Sequence, residues 1–479
     1  MLPTDFIIRS RDLLGGEYES FEAALRGEAT VSVRINRDKC RRRPEGVRVP
    51  WCETGYYLPE RLPFTFDPML HAGAYYVQEA SSMFLEQAIA ACVEGPVRCL
   101  DLCAAPGGKS THLAAMLPEG SLLVSNEVIR SRAQVLVENL AKWGKANVIV
   151  SRNDPVTIGR LTAYFDLILA DLPCSGEGMF RKDPAGAAQW SLANVSLCSA
   201  RQRRIVHDIW NALKPGGVLI YSTCTFNLEE NEENVDYIVN KLGAESLPVH
   251  TLPGWQVGGA MRYGHSACRF FPHKTRGEGF FLSILRKTAG DVSPHEIRRS
   301  RAEKGRAQGK GKGASSDIPQ EVRDRLLDPG KFHIARRGNI IQAIPRVHVD
   351  DYRFLSGHLD ILAGGISVGE IKGEDLLPAH SLAMSSDINA GAFALMEVSR
   401  EEALSYLRKE TLDRAGERGY ALVTYGGLPL GFVKQLGNRS NNLYPQEWRI
   451  RNQRKSCSTT LISPSLGAGS NPSSLDIIR

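Results

Sequence analysis

Five short apolar runs, VRCLDL (97–102), SLLVSNE (121–127), ANVIVS (146–151), FDLILADLP (165–173) and GVLIYSTC (217–224), are separated by segments whose apolar residues recur at helical spacing. That alternation predicts an α/β fold with a doubly wound parallel sheet, since parallel neighbours need a crossover helix between them. The LILA of the fourth run is apolar throughout, as a strand covered on both faces should be. A helix is expected over LEENEENVDYIVNKL, with Asn227 as N-cap and Glu230 completing a capping box, and GFFLSIL (279–285) reads as a last strand.

The flanks set the domain organisation. A chain of 479 residues suggests roughly three domains, and 42% hydrophobic content is ample for their cores. Residues 1–70 contain one helical stretch, FEAALRG, and one alternating strand, TVSVRIN, and are expected to form an appendage on the sheet. The α/β core is drawn at 71–290. A basic, glycine-containing linker is expected over 291–324, because RRSRAEKGRAQGKGK (298–312) carries seven Lys or Arg against one acid and is too polar to fold. A smaller β-rich or α+β domain follows at 325–451, and 452–479 is expected to be disordered. The opening carries Asp5 and no apolar run of signal-peptide length, and no later run approaches the ~20 apolar residues of a membrane span. A soluble, cytoplasmic chain is therefore expected, with no membrane and no protein partner implied. Ten cysteines without one C-x-x-C pair support neither a zinc knuckle nor a redox dithiol, and no metal is expected. A net charge of +6 is compatible with a polyanionic partner without establishing one.

The first run leads into CAAPGGKS, one residue short of the nucleotide-binding pattern G-x-x-x-x-G-K-[ST]. Gly108, Lys109 and Ser110 fit that pattern, and FDLILAD resembles the strand and acid that hold magnesium in P-loop enzymes. Against it, Cys103 stands where the first glycine belongs, and Pro106 removes an N–H from a loop that works through its N–H groups. The second strand ends at Glu127, about 20 residues past the glycines, where a carboxylate can hold ribose hydroxyls. S-adenosylmethionine has that ribose and no phosphate. Asp154 follows the third strand at a position suited to the adenine side.

Cys174 and Cys224 both emerge at the carboxyl ends of strands, in ADLPCSGEG and YSTCTFN, where a doubly wound sheet forms its ligand crevice. A helix N-terminus expected just beyond Cys224 would lower its thiol pKa, partly countered by Glu229 and Glu230. A methyl donor beside a thiolate suits carbon 5 of a pyrimidine, which becomes nucleophilic only after a thiolate adds at carbon 6. Asp171 is placed to hydrogen-bond the N3 and amino edge of such a ring.

DLCAAPGGKSTHLA, NE at 126–127, ADLPCSGEGMFRKD, YSTCTFNLEENE and RFFPHKTRGEGFF, in this order and spacing, are together similar to the Sun/Nop-type RNA cytosine-5 methyltransferases. The resemblance covers about 20–287 and implies a Rossmann-like class I methyltransferase sheet. It implies Cys224 as nucleophile and Cys174 assisting release. It places the cofactor loop on Cys103, Ala104, Ala105, Pro106, Gly107, Gly108 and Lys109, with Glu127 at the ribose, Asp154 at the adenine, and Asp171 and Arg132 also on the cofactor side. RKD (181–183), RQRR (201–204) and HKTR (273–276) become expected RNA contacts. Residues 325–451, with SVGEIKG, PAHSLAM and YGGLPLGFVKQLGNRSNNLYPQEWRIR, resemble the bacterial RsmF group acting on small-subunit (16S) ribosomal RNA. That resemblance implies a C-terminal RNA-binding-like domain and a ribosomal RNA or an assembling small subunit as partner. A transfer RNA methyltransferase, a P-loop ATPase and a noncatalytic RNA-binding scaffold are the alternative readings.

Overall fold

A computed structural model describes residues 2–288, 318–373, 375–452 and 461–462. Most of the expected linker, 291–317, lies outside the described residues, but its end, Gln320–Asp324, is a helix with Val322 buried; of the expected disordered tail, 453–460 and 463–479 lie outside them, and Ile462 is buried in a core.

The N-terminal part opens with helices α1 (Thr4–Leu14) and α2 (Tyr18–Arg26). A four-stranded antiparallel sheet follows, built from β1 (Ser32–Ile35), β2 (Val47–Arg48), β3 (Gly55–Tyr57) and β4 (Tyr75–Val77) in the order β2-β3-β1-β4. Helix α3 (Pro68–His71) precedes β4 and is N-capped by Asp67, whose side chain accepts from Met69 N. The sheet thus reaches seven residues past the expected appendage boundary at 70.

The central sheet is the doubly wound one expected. Helix α4 (Leu85–Cys92) leads into β5 (Arg98–Asp101), α5 (Gly108–Met116), β6 (Leu122–Asn126), α6 (Arg130–Trp143), β7 (Val148–Ser151), α7 (Pro155–Gly159) and β8 (Phe165–Asp171). Then come α8 (Pro184–Gln189), α9 (Leu192–Ile209), β9 (Leu213–Thr223), α10 (Glu232–Leu242), β10 (Ala244–Leu247), β11 (Cys268–Phe270) and β12 (Phe280–Lys287). Strand order β7-β6-β5-β8-β9 is parallel throughout, and β12 pairs antiparallel with β9. Alternate residues serve opposite faces: Cys99, Leu123 and Leu169 pack under α4, α5 and α6, while Leu100, Val124 and Ile168 pack under α9. The chain order reverses between β5 and β8, which opens a crevice above their carboxyl ends.

From residue 318 onward, β13 (Phe332–Arg337), β14 (Ile340–Pro345), β15 (Ile361–Gly364), β16 (Ile366–Lys372) and β17 (Asp375–Pro378) are followed by β18 (Ala394–Glu397), β19 (Gly419–Tyr425), β20 (Leu428–Gln435) and β21 (Ser440–Asn442). They make two further four-stranded sheets, except for β15, which pairs antiparallel with β7 and closes the open edge of the central sheet. The helix Val349–Ser356 just before it buries Tyr352 and Leu355 on the sheet's α9 face. Residues 349–364 are therefore part of the α/β body, although they fall inside the expected C-terminal domain. The C-terminal strands also share a core with the N-terminal sheet: Val33, Ile35, Phe64 and Tyr75 pack with Met396, Leu404, Leu407 and Leu430.

Candidate active site

Strand β5 ends on the fully buried Asp101, whose Oδ2 accepts from Ser110 Oγ at 2.6 Å. Burial pushes its carboxyl up to about 7. The chain then turns through Cys103–Gly107 into α5. Gly107 caps that helix at φ +116°, a conformation open to glycine and strained for side-chain-bearing residues. The turn is tied at its carbonyls, Ala105 O accepting from Arg132 Nη2 and Pro106 O from Asn139 Nδ2, both at 2.7 Å. Burial pushes the Cys103 thiol well up, so it is a packed neutral group here.

Glu127 lies at the carboxyl end of β6 and is 2% exposed. Its Oε1 accepts from Ile129 N at 3.0 Å, and its buried Oε2 accepts no hydrogen bond among the described residues, though it forms an ion pair with Arg132 Nη1 at 3.4 Å. A buried carboxylate oxygen without a donor is costly unless a ligand brings one. Val128 and Ile129 beside it are exposed. Asp154 is exposed and N-caps α7 through Thr157 N at 2.7 Å, which lowers its pKa.

Lys109 turns away from the glycine turn. Its Nζ meets Asp171 Oδ2 at 2.8 Å, while Ser222 Oγ donates to Asp171 Oδ1 at 2.8 Å. Burial works against this ammonium, but Asp171 outweighs it and holds it above the usual lysine range. A lysine committed to a carboxylate does not complete a phosphate cradle, so the P-loop alternative loses its cation.

The two cysteines meet beyond Asp171, with Cys174 Sγ 3.2 Å from Cys224 Sγ, and both are half-buried. The hydrogen bond to Cys224, reinforced by burial, holds the Cys174 thiol well above the usual cysteine range. The helix expected to begin just beyond Cys224 starts only at Glu232, with Asn231 as its N-cap residue. The capping box is not formed either. Asn227 Oδ1 does accept from Glu230 N at 2.9 Å, but Asn227 N donates to Glu177, and the Glu230 carboxylate is buried against Ser175 N and Gln202 Nε2. These two glutamates give no local signal in the sequence that they face each other's loops.

Of the expected RNA contacts, Arg181 is a brace: its side chain is buried on Glu278 at 2.8 Å and on Gly277 O at 2.6 Å. Lys274 pairs with Glu17, and Arg276 lies over the Tyr57 ring. Arg201 and Arg204 are exposed.

Three family models match the chain: 16S rRNA methyltransferase RsmB/F over residues 91–286, the N-terminal domain of 16S rRNA methyltransferase RsmF over 2–80, and the methyltransferase RsmF PUA domain over 393–450. The ribosomal RNA small subunit methyltransferase F of Citrobacter koseri is 32% identical, over 93% of this chain and 96% of its own. Its counterpart in an Enterobacter species is 30% identical, over 93% and 95%. Among solved structures, a methyltransferase homolog protein from Pyrococcus horikoshii is 27% identical with a TM-score of 0.51, covering 60% of this chain and 95% of that one. NSun6 from the same organism, solved with SFG, shares the fold at 21% identity and a TM-score of 0.51, over 60% and 99%. Among the described residues no helix is long and apolar enough to cross a membrane.

Proposed function

Because the chain belongs to the ribosomal RNA small subunit methyltransferase F family, we propose that it methylates carbon 5 of a cytidine in 16S ribosomal RNA, in the cytoplasm, with Cys224 as nucleophile and Cys174 assisting release. The observation that carries this reading is the pair of thiols 3.2 Å apart, at the carboxyl ends of adjacent strands and beyond an oriented Asp171. S-adenosylmethionine supplies an electrophilic methyl group when bound. The crevice fits it: the donorless Oε2 of Glu127 suits a ribose hydroxyl, the turn Cys103–Lys109 and Arg132 line the approach, and Asp154 stands on the adenine side.

Cys224 adds to carbon 6 of the ring, forming a C–S bond and making carbon 5 enamine-like. As Cys224 adds, N3 takes a proton from water and later returns it, and Asp171, fixed by Lys109 and Ser222, keeps lone pairs to accept from that N3–H and the amino group. Once Cys224 is bonded to carbon, the sulfur–sulfur hydrogen bond that holds the Cys174 proton in place is lost. Cys174 then passes its proton to solvent and, as the thiolate, is the neighbouring base for the carbon-5 proton. After carbon 5 has taken the methyl group, whose bond to the sulfonium sulfur breaks in the same step, loss of the carbon-5 proton breaks the C6–S bond, restores the ring double bond and returns the Cys224 thiolate. Reaching both thiols requires an unpaired or flipped cytidine.

The test is what each cysteine variant accumulates on 16S ribosomal RNA. Cys224→Ala should be inactive and form no adduct, whereas Cys174→Ala should methylate and stall as a protein–RNA crosslink on a denaturing gel. An adduct in Cys224→Ala that vanishes in Cys174→Ala inverts the roles, and adducts in neither variant count against thiol addition. Bisulfite mapping of a deletion strain against its parent checks the substrate, and a lost methyl mark on transfer RNA alone overturns the ribosomal assignment.

A further inference from the structure

Two buried carboxylates that the mechanism does not use cross between the loops carrying the thiols. Glu177, three residues after Cys174, is 2% exposed. Its Oε2 accepts from Thr225 Oγ1 at 2.6 Å, Phe226 N at 2.8 Å and Asn227 N at 2.9 Å, and its Oε1 from Asn227 Nδ2 at 3.0 Å and Trp190 Nε1 at 3.1 Å. All but the last of these donors belong to the three residues that follow Cys224. Glu230, six residues after Cys224 and fully buried, answers in the other direction. It accepts from Ser175 N, next to Cys174, at 3.0 Å, and from Gln202 Nε2 and Asn227 Nδ2 at 2.8 Å each. Gln202 in turn donates to Pro173 O at 2.9 Å.

A third tie lies between the two. Gly178 N donates to Cys224 O at 2.9 Å, and a Cβ at Gly178 would stand 2.8 Å from that same oxygen and 2.7 Å from Gly279 O. The loops are therefore in backbone contact, and each carries an anion seated on the other's donors. Neither glutamate is in a salt bridge among the described residues. A buried carboxylate without a cation is tolerated only where it accepts several hydrogen bonds, and a neutral amide could not accept this many.

We infer that Glu177 and Glu230 are positioning residues that fix the separation of Cys174 and Cys224, so that one thiol bonds to carbon 6 with the other held within reach of the same ring. The inference rests on the cysteine roles proposed above. Neither glutamate touches the glycine turn, Glu127 or Asp171 through any hydrogen bond described, so their effect is on thiol geometry and not on cofactor affinity.

The experiment uses full-length Glu177→Gln and Glu230→Gln, with a readout independent of methyl transfer. Diamide oxidises the two thiols to a disulfide, an S–S bond forming as two protons and two electrons pass to its N=N bond, giving a hydrazine. The rate of that closure reports how often the sulfurs meet. In Glu177→Gln, closure should slow about tenfold or more and kcat on 16S ribosomal RNA should fall about 100-fold, the order expected of an ångström-scale misplacement, with KM within about threefold. S-adenosylmethionine affinity should not change. Closure and kcat both within about twofold of the parent, in variants that bind cofactor normally, would overturn the inference. If Glu177→Gln does not fold, Thr225→Val, which removes one donor to the same oxygen, decides: slowed closure supports the assignment, and closure at the parental rate overturns it. Failure of the cysteine assignment reads differently, as an active Cys224→Ala protein whatever the closure rates.

Discussion

Glu127→Gln should weaken S-adenosylmethionine binding while leaving the ligand-free protein at least as stable as the parent. The side chain is 3% exposed, and its two oxygens are in unlike states. Oε1 holds Ile129 N, a bond that the Gln carbonyl can keep, whereas Oε2 has no donor and only the Arg132 guanidinium at 3.4 Å. Substitution thus removes a buried charge whose Oε2 is met only by the partly exposed Arg132 guanidinium. It also puts an N–H₂ where a ribose hydroxyl needs an acceptor. Losing one hydrogen bond to a charged group costs about 1.5–3 kcal/mol, and about 1.4 kcal/mol is tenfold, so the dissociation constant should rise about 10- to 150-fold. Titration calorimetry with S-adenosylmethionine measures the affinity, and a thermal melt without ligand measures the other half. Affinity within about twofold of the parent in a folded variant would take Glu127 out of the site. A clear fall in the ligand-free midpoint would refute the premise that Oε2 lacks a hydrogen-bond donor and gains little from Arg132.

A chain cut after about residue 290, which the expectation of a separate C-terminal domain would leave as a soluble core, should instead aggregate. Val33, Phe64 and Tyr75 lose the Met396–Leu430 side of their core and β7 loses β15, so a monodisperse, cofactor-binding fragment by gel filtration would contradict this shared packing. Asp101 gives a pH signature. Its folded pKa, raised by burial to about 7, lies above the ~3.9 of an unfolded aspartate, so the folded state binds more protons in that window and stability should fall as pH rises through it. Asp101→Asn should flatten the slope of denaturation midpoint between about pH 4 and 7, and an unchanged slope would exclude Asp101 as its source.

The central strands were legible because burial on both faces leaves runs such as LILA without polar residues, and the glycine turn because only glycine suits the φ of Gly107. Cys174 and Cys224 stood out by position, each at a strand's carboxyl end. Asn227 and Glu230 show where local pattern fails. Their spacing is that of a capping box, but the carboxylate finds better donors 55 residues away in the other loop, and the helix starts two residues after it. Arg181 looked like a phosphate contact for the same reason: a cation in a motif says nothing about Glu278, 97 residues on, which buries it. Residues 361–364 fall inside the expected C-terminal domain although they pair with β7, a tertiary choice that no periodicity records.

The core shared by the N-terminal sheet and the C-terminal strands also imposes an order on the chain's birth. Tyr75 leaves the ribosome about 320 residues ahead of Met396, and Val33 about 360, which at roughly 5–20 residues per second is a wait of tens of seconds. Throughout that interval the first sheet has one apolar face and nothing to lay it against. A ribosome that stalls in the linker therefore releases a chain with the glycine turn and both thiols already made but a raw hydrophobic flank, a natural target for chaperones and proteases. Only translation past about residue 430 yields a chain whose first strands are covered.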